Sequence, residues 1–373
     1  MNVERLHLIL RATYDAVTKA GLVADIGGLT TSLQNQVNDP TTAAYQQQIS
    51  SQLEKLYANL SAIETNDFPP GWKQVLTEHK LPLFVGTELL QKLVEIFSRN
   101  AITPSIALKE IQQLQVELTA DLTAMTELIN GFIRLEFYMD DLKPGEAEIG
   151  LLVPRESIDS KLDRFTKELT DMAKIIGVFE ELTTGQRREP TIRTLSSTDL
   201  TVLLDIWPIS GVALATAIER IASFYKQVLE IKKLKAEVTR LALPETMTDQ
   251  EANEKMEANL RALRDEMISN YEGQKARKHE LETELLIALH RIANKLDQGI
   301  HFEFRAGEPT TAANQDETPE QKSLRSQTIF INDVGRRMAL IERVEGRILQ
   351  LPVGENGDEN GGTKKDESAV SRP

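Results

Sequence analysis

The strongest constraint on this chain is an apolar stripe at three- and four-residue spacing that recurs along its length. Phe224, Val228, Ile231, Leu234, Val238 and Leu241 follow one another in steps of 4, 3, 3, 4 and 3. That average is close to 3.5 residues, so these side chains line one side of a helix and can keep contact with a neighbouring helix. Met256, Leu260, Leu263 and Met267 repeat the pattern, and Leu281, Leu285, Leu289, Ile292 and Leu296 resume it after the polar stretch from Ser269 to Glu280. Helices over 209–243 and 249–296 are predicted, joined by Pro244 to Met247 as an antiparallel hairpin with a bend near Gly273. Thr248 and Glu251 have the spacing of a reciprocal N-terminal cap.

The first part of the chain shows the same periodicity in shorter segments. Leu6, Leu10 and Val17 mark a first helix, which Gly21 and then Gly27-Gly28 are expected to close. Asp39-Pro40 reads as the start of a second, carrying Tyr45, Ile49, Leu53, Leu56, Leu60 and Ile63. Two short helices flank Pro82, and Thr103-Pro104 opens a long one through Ile111, Leu118, Met125 and Phe132 to about Tyr138. These segments predict a helical bundle over residues 1–142.

Beyond Lys143-Pro144-Gly145 the pattern changes. Ile149, Leu151 and Val153 alternate as a strand, and a helix from Ser157 follows through Leu162, Phe165, Leu169, Met172, Ile176 and Phe179. Thr191–Leu195 and Ile300–Arg305 are two further strands. The β-α-β order predicts a parallel pair, because a crossover helix returns the chain in the same direction. Leu200 to Ile218 is the most apolar run, yet Asp205, Pro208 and Gly211 interrupt it, so a buried segment is expected in place of a membrane span. Thr318-Pro319-Glu320-Gln321 starts a last helix carrying Ile331, Val334, Met338, Ile341 and Ile348.

The expected fold is therefore mainly α. An N-terminal bundle (1–142) precedes a small α+β module (146–305) that carries the 209–298 helical hairpin or coiled coil. A loop and returning helix (306–351) and a disordered tail (352–373) complete it.

Chemistry is sparse. The formal net charge of -14 opposes a general role in coating nucleic acid, so nucleic acid is not an expected partner. The chain has no cysteine, which removes thiolate metal sites and disulfides and fits a cytoplasmic setting. Met1 to Arg11 has no signal-peptide core. Phosphate-loop, dinucleotide, zinc-protease and nucleophile-elbow motifs are absent. His279 and His290 share a helix face but stand about 16 Å apart, too far for one ion. Asp140-Asp141 and Glu180-Glu181 are adjacent acids that point in different directions. No metal and no cofactor are expected.

Two candidate sites remain. At the carboxyl ends of the first two strands, Arg155, Ser196, Ser197, Thr198 and Asp199 could gather around an anion or nucleotide-like ligand, Arg155 gripping it bidentately. On the hairpin, Ile231, Leu234, Val238, Leu241, Leu260 and Leu263 offer an apolar seam to a protein partner or a second copy. The leading expectation is a non-enzymatic scaffold or adaptor acting through such association. A ligand-binding or catalytic module at the sheet edge is the alternative. Peripheral attachment to a membrane surface through the run containing Trp207 is a third and less favoured reading.

Overall fold

The computed structural model describes residues 3–137, 141–196, 200–240, 249–269, 271, 275–308, 317–338 and 349. The Thr248 cap, the Pro244–Met247 connection and the 352–373 tail lie outside the described residues.

The N-terminal stripes form α1 (Val3–Lys19), α2 (Leu22–Asn38), α3 (Ala43–Ala62), α4 (Pro70–Glu78), α5 (Gly86–Arg99) and α6 (Pro104–Arg134). Leu10, Val17, Leu29, Leu56, Leu93, Ile111, Leu118 and Met125 meet in one core. Gly21, at φ +65°, ends α1, since a residue without Cβ adopts the left-handed conformation at no steric cost. Gly27 and Gly28 do not close a helix as expected but lie inside α2. A Cβ on Gly27 would stand 3.2 Å from Gln115 of α6, and one on Gly28 3.5 Å from Gln52 of α3. The approach is tight at Gly27, while at Gly28 it is an ordinary van der Waals contact. Asp39 does not start α3 either: its carboxylate accepts from the Thr41 and Thr42 hydroxyls at 2.8 and 2.7 Å, and the helix begins only at Ala43.

The second part is built on β1 (Ala147–Leu152), β2 (Ile192–Ser196), β3 (Thr201–Ile206) and β4 (His301–Ala306). The strand order is β2-β3-β1-β4, and every neighbouring pair is antiparallel. This corrects the expected parallel pair. β1 and β2 do run in the same direction, each being antiparallel to β3, but β3 occupies the slot between them. The missed strand is the front of the apolar run that reads only as a buried segment. Val202, Leu204 and Ile206 face the main core while Leu203, on the opposite face, is also buried. A strand covered on both faces loses its polar alternation, so period alone does not distinguish it from a buried helix.

Helices α7 (Leu162–Thr184), α8 (Pro208–Arg240), α9 (Asp249–Ser269), α10 (Lys275–Asp297) and α11 (Pro319–Arg337) share the core with one face of the sheet. The resulting β-α-β-β-α-β connectivity is a split β-α-β arrangement, with α8, α9 and α10 replacing its second helix. Arg220 of α8 pairs with Glu266 of α9, and His290 of α10 with Glu257 of α9. The expected bend is a break between α9 and α10. Ser157 does not cap α7. Its hydroxyl donates to the Pro154 carbonyl at 2.7 Å inside a 3-10 turn, and the helix starts five residues later at Leu162. Thr318 and Gln321 do form the expected reciprocal cap, at 3.0 and 3.3 Å.

The two edges of the sheet differ. At β4, the Asn332 side chain of α11 accepts from the Ala306 amide at 2.8 Å and donates to its carbonyl at 3.1 Å. On the outer side of β2 no strand is paired among the described residues.

Candidate functional site

The sheet registers show how the expected anion cluster is laid out. Leu152 at the end of β1 and Ser196 at the end of β2 both pair with Thr201, so Arg155 and Ser196 belong to the same end of the sheet, with β3 between their strands. Arg155 is exposed on the turn after β1. Ser197, Thr198 and Asp199 lie outside the described residues. Among those described, no three His, Asp or Glu side chains are arranged to hold a metal ion, and no helix is long and apolar enough to cross a membrane.

The hairpin seam is largely internal where it is described. Leu260 and Leu263 are 0% and 3% exposed and belong to the core shared with α8 and α10. Ile231, Leu234 and Val238 lie on the backbone of α8, and Leu241 is outside the described residues.

A cluster missed in the sequence joins the bundle to the other face of the sheet. Arg5 of α1 donates to Glu148 of β1 at 2.7 Å and to Glu303 of β4 at 3.1 Å. Arg305 donates to Glu148 at 2.8 Å, and the Arg193 Nε lies 3.7 Å from the same carboxylate. Glu148 is almost fully buried. Burial pushes its carboxyl up, but Arg5 and Arg305 outweigh that and hold it below the usual carboxylate range. A Cβ on Gly71 would come within 1.6 Å of the Glu303 carboxylate, so glycine is what lets the start of α4 close over this face. The cluster is a fastening between layers, with its charges matched from within the chain.

The second cluster faces solvent. At the junction of β3 and α8, Trp207 is 50% exposed, and the Arg188 guanidinium lies 4.9 Å from the centre of its ring. Ile209 on the first turn of α8, and Ile192 and Leu195 on β2, are exposed as well. Ile192 pairs with Leu204 and Leu195 with Val202, across an irregularity between Ile192 and Thr194. Leu204 and Val202 both face the helical core. The apolar face of the sheet therefore continues out to β2 and stops there uncovered.

Glu180 of α7 lies beneath this corner, fully buried. Its Oε2 accepts from the Arg188 amide at 3.1 Å, and the Trp207 amide adds a smaller pull in favour of the carboxylate. Its Oε1 stands 3.4 Å from the Arg188 guanidinium and has no hydrogen-bond partner among the described residues. Burial raises the Glu180 carboxyl above its ordinary value against the opposing pull of Arg188. Glu181 turns the other way. Its hydrogen bond from Arg277 leads the influences that, with Arg187, hold its carboxyl low against burial. The adjacent acids thus point apart, as expected, but one of them supports the exposed Trp207 corner.

Comparison with protein-family models, with curated proteins and with solved structures finds no match. The chain is mainly helical with a small antiparallel sheet, and a fold alone does not assign an activity.

Proposed function

We propose that this chain is a non-enzymatic scaffold or adaptor that works by association, and that the corner of Trp207, Arg188, Ile192, Leu195 and Ile209 takes a second copy of the chain. The observation carrying this reading is the exposed Trp207–Arg188 stack beside an apolar sheet edge that has no paired strand among the described residues. Tryptophan and arginine supply a disproportionate share of binding energy at protein interfaces, because each combines a large contact area with a polar group. Across a two-fold axis, a β2 strand meets its own copy antiparallel, the pairing used throughout this sheet. The same operation sets the exposed Ile192 and Leu195 of each copy beside those of the other. The opposite edge is closed by Asn332 of α11, which favours β2 as the contact.

Sedimentation at micromolar concentration tests this. The wild-type chain is expected above the monomer mass of 41.8 kDa, and the Trp207→Ala, Ile192→Asp double variant at that mass. A wild-type chain that stays at the monomer mass across the range overturns the reading.

A further inference from the structure

We infer that Glu180 is a protonation-dependent latch for the corner: as a carboxylate it holds Arg188 against the face of Trp207, and as a neutral acid it releases the guanidinium. The inference deepens the proposed contact surface by naming what controls it, and it rests on that reading only for its consequence for association. Its basis is the geometry around one buried side chain. Glu180 accepts from the Arg188 amide, and the Trp207 amide adds a smaller pull on the same carboxylate, so both residues of the exposed stack are referred to a single side chain. The Arg188 guanidinium is 3.4 Å from Oε1, about 40% exposed, and also donates to the Asp205 carbonyl at 3.4 Å. Its position over the indole therefore depends on long contacts, of which the charged one is with Glu180.

Other charged groups nearby are turned elsewhere. On α7, Glu181 is engaged by Arg187 and Arg277. On β3, the Asp205 carboxylate accepts from Thr191 and Arg193. At the start of α8, Ser210 contributes only a hydroxyl, 2.8 Å from that of Thr183. Among the described residues Arg188 is the charged partner of Glu180, so loss of the Glu180 charge acts directly on the stack. Because the Glu180 value is raised in the folded chain, its protonation stabilises the fold as pH falls, and that contribution is lost as pH rises through the raised folded value. The latch closes at the expense of some stability.

The chain has two tryptophans, Trp72 and Trp207, so Trp72→Phe leaves Trp207 as the sole indole fluorophore. Lowering the pH of that full-length variant from about 8 to about 4.5, the ordinary glutamate range, is expected to give one transition in emission and in acrylamide quenching. Its midpoint should lie above the ordinary glutamate value. Adding Glu180→Gln should abolish the transition, and so should Arg188→Met, which serves alone if the glutamine variant does not fold. A flat emission profile in the Trp72→Phe chain, or a transition that persists in either variant, overturns the latch. Sedimentation of the same samples separates the two ideas. Association with flat emission removes the latch and leaves the contact surface. A Trp207 transition in a chain that stays at 41.8 kDa supports the latch and removes the contact surface.

Discussion

Glu148→Ala is expected to lower the unfolding free energy by about 3–5 kcal/mol, the cost of breaking a buried ion pair by removing one member. Three guanidinium groups converge on this carboxylate from three elements: Arg5 from α1, Arg305 from β4 and Arg193 from β2. Their side chains are 10%, 16% and 22% exposed, so water replaces little of what the substitution removes. Glu303 retains Arg5, and Glu146 with Asp205 retains Arg193, while Arg305 loses its Glu148 bond. Urea denaturation at neutral pH checks this through a lower midpoint, and an unchanged midpoint contradicts it. The linkage has a definite sign. The folded Glu148 value is below the unfolded one, so its stabilisation is complete above the ordinary carboxylate value and is lost as pH falls through the folded value. The alanine variant should therefore lose less stability on acidification than the wild type.

Gly335→Ala is expected to cost about 3 kcal/mol, near the upper end of what overpacking usually costs. A Cβ there would lie 2.3 Å from the Phe304 carbonyl oxygen, a backbone atom of β4 that no rotamer change can move. α11 would have to lift from the sheet. That would also strain the Asn332 bonds that close the β4 edge, one turn earlier on the same helix. Gly131→Ala is the matched control. It too is a helical glycine, on α6, but a Cβ meets nothing within 4 Å, so the change should stabilise by about 0.5–1 kcal/mol through backbone entropy. Thermal or urea unfolding of the pair should show shifts of opposite sign, and a neutral Gly335→Ala removes the tight docking of α11.

Helix periodicity was readable because long segments such as α6 bury one face and leave the other wet. The Thr318–Gln321 cap was equally readable, since its two hydrogen bonds involve only neighbours in sequence. β3 was hidden for the opposite reason. Leu203 is buried on the face that an ordinary half-exposed strand leaves polar, and a Cβ on Gly150 would lie 2.9 Å from its side chain. Arg5 and Glu148 are 143 residues apart, so no local spacing announces their contact. The Trp207 corner has a similar origin. Trp207 beside Pro208 was conspicuous in the sequence, but its partner Arg188 lies in a polar loop and Glu180 in a helix that otherwise reads as ordinary amphipathic sequence. Only the folding of α7 against β3 and α8 brings the three together.

Amide hydrogen exchange on the full-length chain, compared between dilute and concentrated solutions, tests the central claim of association through the β2 edge. Protection that rises with concentration at 192–196 and around Trp207, while α9 and α10 stay unchanged, is the predicted result. Protection that does not change with concentration, or that rises along the α8–α9 hairpin and leaves β2 untouched, would contradict it.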